Sequence, residues 1–524
     1  MRYTILLLLV LVGGFAKGQR KKNLNDTSVF LQQPNRIEFE ISINDYGFQV
    51  VNGYQNGLLL IKKSNVRNTE GYGWVMYKLD TALQIEWTKL LIVPYTSNFI
   101  GYDYSNGNYY LLFTKEEYKP AELAILSIDE VFGNISKIEI TTVFPLLLSH
   151  FEVINQVVLL AGTTNNRPAV VTFNMNDRTP RVIPGIYADN VEIADITIDD
   201  QKELFSVVTT ERMVNKRFTT SVKTFTTENL MLLSSYIDPG DRKTLIDGAA
   251  TSFSNGFQYV AGAYSNKNIL YSRGLYLGKF VNGKQQFVKY YNYADLTNFF
   301  GYLKPNRQDR ISNRIEKKRD KGKNSKFNYK LLIHEMIERG DEIILVAEAY
   351  YPRYSNYSTL MGPTTYGYGG MMDNRNRSYY NNIIGYRYTH AVVVAFDKNG
   401  QIKWDQSFPL ENVFSSSLRK FITVNVTKGR IELLYLDKST VKSKVISGDN
   451  IIEGRTFNPI RLSSDKDQNK SEITADEGME RWYSDVMYAY GEQEIEHTIN
   501  NKLKTNRNVY YINKLRYNLD EFQN

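Results

Sequence analysis

Leu58-Leu59-Leu60-Ile61 is the first of a series of apolar bursts whose recurrence decides how this chain folds. The others are Tyr109-Tyr110-Leu111-Leu112-Phe113, Val157-Val158-Leu159-Leu160-Ala161, Leu204-Phe205-Ser206-Val207-Val208, Phe257-Gln258-Tyr259-Val260-Ala261, Ile343-Ile344-Leu345-Val346-Ala347, Ile431-Glu432-Leu433-Leu434-Tyr435 and, less regular, Asp485-Val486-Met487-Tyr488-Ala489. Successive starts are 51, 48, 47, 53, 86, 88 and 54 residues apart, so five intervals cluster near fifty and two carry inserts. A fixed period of that length, built from short strands, marks a propeller or solenoid array.

Each period reads as several strands joined by tight turns. In the first, Gly47 to Val51 leads through Asn52-Gly53 and Asn56-Gly57 to Leu58–Ile61, then Trp74 to Leu79 and Ile85 to Leu91. Asn-Gly tolerates positive φ and is the strongest short hairpin signal; it recurs at Asn106-Gly107, Asn255-Gly256, Asn282-Gly283 and Asn399-Gly400. Four short antiparallel strands per period describe one propeller blade, whereas a βαβ design needs long amphipathic helices, and no such run exceeds two or three turns. The expected fold is an all-β propeller of about eight four-stranded blades. The last burst lacks a fourth strand after Val509-Tyr510-Tyr511-Ile512, and the segment from Ser28 to Phe39 would supply it, closing the ring. A seven-bladed ring with an extra hairpin is the second choice.

Two hairpins match closely. Asp80 and Asp397 each open a turn that leads to Ile85 and Ile402, then to Trp87 and Trp404. The pattern resembles the third-to-fourth-strand hairpin of propellers related to quinoprotein dehydrogenases, where the tryptophan docks on the neighbouring blade. Physically, an Asp side chain closes such a turn and an indole fills the wedge between diverging blades. The likeness concerns architecture and implies no quinone, because one scaffold carries many functions.

Arg2, an apolar run from Ile5 to Val12 and a small-residue site before Gln19 read as a signal peptide over residues 1–18, with residues 19–524 one propeller domain. The run is shorter than the roughly 20 residues of a spanning helix, so the expectation is an exported, periplasmic chain with no transmembrane segment after cleavage. Cysteine is absent, which excludes disulfides and thiol chemistry. Tyrosine is abundant, at 39 residues against 26 Phe and 4 Trp, which suits both sheet surfaces and protein interfaces.

The inserts hold the candidate contact residues. Residues 304–326 carry ten basic against three acidic side chains, a net +7 in a chain whose total is +8. With few apolar residues, the segment reads as an exposed electrostatic contact that adds nothing to folding, with Lys317, Lys318 and Arg319 among its candidate residues; charge of that density could meet an acidic protein face, anionic lipid head groups or nucleic acid, the last not expected for an exported chain, and the alternative is a solvated loop. Residues 350–388 contain ten tyrosines among Gly, Asn, Ser and Arg, the palette of adaptable binding loops. Tyr351, Tyr354, Tyr366, Tyr368, Tyr379, Tyr380, Arg375 and Arg377 are its candidate partner-binding residues, with packing over a blade and disorder as alternatives.

Catalytic constellations are thin. His150, His334, His390 and His497 are scattered, and His334-Glu335 has no second histidine at metal-binding spacing. The Asp397 to Gly400 segment shares letters with a calcium loop but lacks its twelfth-position Glu. The reading is non-enzymatic, with no catalytic, metal or cofactor residues.

The signal-like start, the stretch from Tyr386 to Trp404 after a Tyr/Gly/Arg-rich insert, and the stretch from Arg507 to Arg516 resemble exported propeller proteins of Bacteroidota type. The chain is similar to the plug subunit of the type 9 secretion translocon. That resemblance implies a periplasmic propeller docked on an outer-membrane protein, as plug or accessory subunit of an export channel; expected export, independently, leaves nucleic acid out of its partners. A second reading is an exported propeller binding or cleaving glycans or peptides at its central channel. Clustered carboxylates at the axis would favour the second reading, and an apolar, neutral axis would not.

Overall fold

Each apolar burst is the second strand of a blade. The computed structural model describes residues 27–42, 45–115, 121–240, 242–266, 269–354, 383–427, 429–470, 477–500 and 503–518. Eight antiparallel sheets follow one another along the chain, each built on four consecutively paired strands. Blade 1 consists of Tyr46–Asn52, Leu58–Arg67, Gly71–Leu79 and Ile85–Pro94. Blades 2 to 7 span residues 98–141, 147–182, 191–236, 244–292, 330–409 and 423–459. Blade 8 takes three strands from the far end of the chain, Gly478–Tyr483, Val486–Asn500 and Leu503–Tyr517. Its fourth is Arg36–Glu40, which pairs antiparallel with Leu503–Tyr517 in the register Arg36 to Asn513 through Glu40 to Val509. The ring therefore has eight blades and closes as expected, and the seven-bladed alternative falls.

The bursts are continuous rather than alternating because each second strand is covered on both faces by neighbouring blades, the situation that makes a strand apolar on both sides. Leu58 and Leu60 pack with Tyr488, Tyr510 and Ile512 of blade 8. Leu59 and Ile61 point the other way and pack with Tyr109, Leu111 and Phe113 of blade 2. Such a cluster fills every wedge around the ring, including the closing one. Truncating one of these fully buried leucines to alanine costs about 2–5 kcal/mol.

Three Asn-Gly turns follow their sequence signals, whereas Asn52-Gly53 and Asn56-Gly57 flank a short 3-10 turn, Tyr54–Asn56, and at Asn399-Gly400 only the glycine has positive φ. Asn106 and Gly107 take φ of 47° and 74°, Asn255 and Gly256 50° and 78°, and Asn282 and Gly283 47° and 78°, the doubly positive pairs that a two-residue hairpin needs. First strands of successive blades touch one another, so they form the innermost layer and surround the axis. Because neighbouring strands alternate in direction, each blade's 2–3 hairpin and the crossover from its fourth strand to the next blade emerge on one face of the ring. The 1–2 and 3–4 turns emerge on the other.

Candidate functional site

Both long inserts obey that rule and lie on the same face. The first is the crossover from blade 5 to blade 6, and the second is the 2–3 hairpin of blade 6. The blade 8 hairpin, with two 15-residue strands, extends on this face as well.

Residues 304–326 correct the expectation drawn from their charge. They are not a bare loop, since Pro305–Arg319 forms an α-helix with proline in its first turn, where the missing N–H is not needed. Lys317, Lys318 and Arg319 occupy its last turn, where cations meet the negative end of the helix dipole. The helix also contributes packing. Ile311 and Ile315 lie four residues apart and sit against the blade 5–6 core with Leu303 and Phe327. The segment leading into it is held to blade 6 by Asp405, whose carboxylate accepts the Thr297 and Asn298 backbone N–H groups, each at 2.7 Å. Burial raises the Asp405 pKa despite those two bonds. Two isoleucines were too weak a signal to predict this helix.

The hairpin of blade 6 is longer than the sequence suggested at its base. Tyr350, Tyr351 and Tyr354 belong to Glu342–Tyr354, and Tyr386 and Tyr388 to Ile383–Asp397. Tyr388 is buried and its hydroxyl donates to the Arg419 carbonyl at 2.6 Å, so it is core rather than contact surface. Tyr350 and Tyr386 meet edge to face. Tyr351 and Tyr354 are exposed, as are Ile384, Phe414 and Tyr271 nearby. Tyr366, Tyr368, Arg375, Arg377, Tyr379 and Tyr380 lie outside the described residues.

On the opposite face, Asp80 Oδ1 accepts the Ala82 and Gln84 N–H groups, and Asp397 Oδ1 accepts those of Asn399 and Gln401. The two tryptophans that follow meet equivalent turns of the next blade. Trp87 lies on Gly133 of blade 2 and donates to the Glu130 carbonyl at 3.0 Å. Trp404 lies beside Gly448 of blade 7 and donates to Glu342 at 3.2 Å. A groove of about 590 Å³ runs past Trp87, Lys78 and Phe132 on this face.

The axis carries a feature that the sequence reading missed. Asp103, Glu152 and Asp200 stand at or just beyond the ends of the first strands of blades 2, 3 and 4, toward the turn face. Burial, opposed by the Val153 and Tyr104 N–H groups and joined by the Asp200 charge, pushes the Asp103 carboxyl up to about 7. Burial and the charges of Asp103 and Asp200 push Glu152 up to about 8. Asp200 is raised too, by burial and then by Asp199. Tyr54, on the first turn of blade 1, interacts electrostatically with all three and with Arg481. The available signal was spacing, because the three acids follow one another at 49 and 48 residues, about one repeat apart.

Further along the axis, a tongue between blades 6 and 7 brings Lys420 inward. Its ammonium donates to the His334 carbonyl at 2.5 Å, and its charge reaches His150 of blade 3, Asp195 of blade 4 and Glu335 of blade 6. The tongue is fixed by buried Glu348, which accepts the Phe421 N–H at 2.9 Å and the Ile422 N–H at 2.8 Å. His390 is remote from this, fully buried, and stacked on Tyr302 at 3.8 Å. His497 pairs with Asp467 at 2.6 Å. Among the described residues, no group of three or more His, Asp and Glu side chains could hold a metal ion, and no helix is long and apolar enough to cross a membrane.

No family model and no curated protein matches the chain. Solved structures match weakly. A eukaryotic initiation factor superposes with a TM-score of 0.40 at 11% identity, covering 91% of each chain. The β-propeller domain of the Trilobed protease from Pyrococcus furiosus gives 0.35 at 8%, covering 78% of this chain and 95% of that one. A prolyl endopeptidase gives 0.38 at 7% over 86% of this chain and 53% of that one, so the match spans about half its length. Superpositions at this level carry no argument about activity or partner.

Proposed function

We propose that the chain is an exported, non-enzymatic propeller that docks on an outer-membrane protein, as plug or accessory subunit of a protein-export channel. The observation that carries this reading is the gathering of the helix, the extended blade 6 hairpin and the blade 8 hairpin on one face of the ring. Long loops concentrated on one side of a rigid scaffold are where such scaffolds place their contacts. Exposed Tyr351 and Tyr354 supply ring area there, and the insert they lead into, with Tyr366, Tyr368, Arg375, Arg377, Tyr379 and Tyr380, supplies residue types that concentrate at interface hot spots. Affinity purification from the native envelope tests it. Changing Tyr366, Tyr368, Tyr379 and Tyr380 together to Ser should abolish recovery of the partner with an unchanged melting temperature, and full recovery by that variant would remove the insert from the docking surface.

The axial carboxylates favour a second reading, in which the channel binds the cationic groups of a peptide between Asp103, Glu152 and Asp200. Calorimetry with lysine-rich and glutamate-rich peptides separates the two. Binding of the first alone, lost in Asp103→Asn with Glu152→Gln, supports the channel.

A further inference from the structure

The insert face holds a second kind of surface, which needs no protein partner. Arg307, Arg310, Arg314 and Lys317 are spaced three and four apart on Pro305–Arg319 and so form one stripe along the helix. All four are exposed, and none makes an ion pair among the described residues. Asp309 and Glu316, seven apart, fall on a different line of the same helix, which leaves the basic stripe undiluted. Ile311 and Ile315 face the blade 5–6 core, so the helix cannot roll to bury the stripe.

Exposed apolar side chains stand on the same face of the ring. The chain leaving the helix returns through Tyr329, which bridges Ser272, and Lys330 lies over the Tyr271 ring at 5.7 Å. Tyr271 in turn interacts with Tyr354 of the long hairpin. Tyr271, Tyr354, Ile384 and Phe414 are 42%, 51%, 53% and 50% exposed. Lone exposed apolar residues are ordinary, but four of them around the base of one hairpin, on the same face as a dense basic stripe, form a coherent pattern. Tyrosine and other amphipathic rings partition to the headgroup region of a bilayer, and clustered Lys and Arg are drawn to anionic lipid.

We propose that this face binds the surface of an anionic lipid bilayer, with the stripe Arg307, Arg310, Arg314 and Lys317 in the headgroup layer and Tyr271, Tyr354, Ile384 and Phe414 as interfacial anchors. It takes from the docking reading only the choice of outward face. An acidic protein surface would satisfy the charges, but would not call for exposed apolar side chains on the same face. A headgroup layer, with smeared charge and an apolar boundary beneath, matches both.

The test is sedimentation of the purified chain with phosphatidylcholine vesicles, with and without phosphatidylglycerol. The chain should sediment with anionic vesicles at about 0.05 M salt and be released at about 0.5 M, where the screening length is short. Neutral vesicles should retain it only at background. Changing the four stripe residues to Gln, all surface positions, should weaken binding more than about tenfold with an unchanged melting curve. Tyr354→Ser with Phe414→Ser should weaken it severalfold without changing the salt dependence. Equal binding by the stripe variant, or none by the wild type, overturns the proposal. If wild-type chain ignores vesicles yet recovers an envelope protein in a stripe-dependent way, an acidic protein is the occupant and the docking reading survives alone. If it binds vesicles and recovers no protein, the lipid surface stands without a docking partner.

Discussion

The Trp87 indole of blade 1 lies on Gly133 of blade 2 so closely that a Cβ built there would sit 3.1 Å from three of its ring carbons. Gly133 has a φ of +65°, so any other residue meets both the ring and an unfavourable backbone. Gly133→Ala should cost about 1–3 kcal/mol in denaturant unfolding. Trp404→Ala, which empties a buried site, should cost about 3–5 kcal/mol, and Trp87→Ala less because its ring is only partly buried. A Trp404→Ala variant that unfolds with the wild type would show that the indole does not secure the blade 6–7 wedge.

Ring closure rests on a small network around Arg36. Its guanidinium donates to Glu38 at 2.6 Å, Asn513 at 2.7 Å and Gln493 at 2.8 Å, and lies 4.7 Å from the centre of the Tyr511 ring. Burial lowers its pKa, with the Glu38 charge opposing. Arg36→Ala should therefore destabilise by about 1–3 kcal/mol, because Asn513 and Gln493 lose their donor and Glu38 keeps only Arg507, at 2.6 Å. Hydrogen exchange should localise the loss to blade 8 and blade 1, and a uniform loss around the ring would contradict a local clasp.

The axial acids predict a pH dependence. Native pKa values of about 7 for Asp103 and about 8 for Glu152 lie above the ordinary 3.8 and 4.5. Between those limits the folded chain holds more protons than the unfolded one, so this contribution to stability falls as pH rises from about 4 to about 8. Asp103→Asn with Glu152→Gln should flatten that slope and melt higher than wild type at pH 8, by about 1–3 °C. A difference between the two proteins that does not change with pH would mean the acids titrate normally.

The basic helix should behave as part of the fold. Ile311→Ser and Ile315→Ser each remove partly buried apolar contact, at about 1–2 kcal/mol. Asp405→Ala should cost about 1.5–3 kcal/mol by leaving the Thr297 and Asn298 N–H groups without their charged acceptor. Limited trypsin digestion reads the effect directly, since cleavage at Arg307 to Lys323 should accelerate in all three variants while other sites keep their rates. Unchanged cleavage would return the segment to a solvated loop.

The ring was legible because its strongest signal is local. Leu58–Ile61 and its counterparts are apolar on both faces, so each announces a second strand without reference to its partner, and the Asn-Gly pairs mark the hairpins between. The closing strand was legible by subtraction, from one strand too few after Ile512. The helix was not, because only Ile311 and Ile315 carry its inward face and its charge reads as solvation. The axial cluster was hidden for a different reason. Asp103, Glu152 and Asp200 are ordinary surface-type residues on weakly patterned first strands, and they become neighbours only once three blades share an axis. On the insert face, composition flagged the tyrosines but could not separate Tyr388, which is core, from Tyr354, which is exposed.

Hydrogen-bonded Arg36 and Asn513 are 477 residues apart in the chain. A ribosome or a translocation pore delivers the first of these long before the second, so seven blades can mature while Arg36–Glu40 waits unpaired with an open strand edge. Such an edge invites pairing with another copy, and the interval before closure is when a chaperone would protect the chain most. The finished ring inverts the situation. Tension applied between residues near the two ends is borne by the pairing of Leu31–Gln32 and Arg36–Glu40 with Leu503–Tyr517 and by the bonds of Ser28 and Gln33 to blade 7, so that this clasp sets the force at which the whole ring opens.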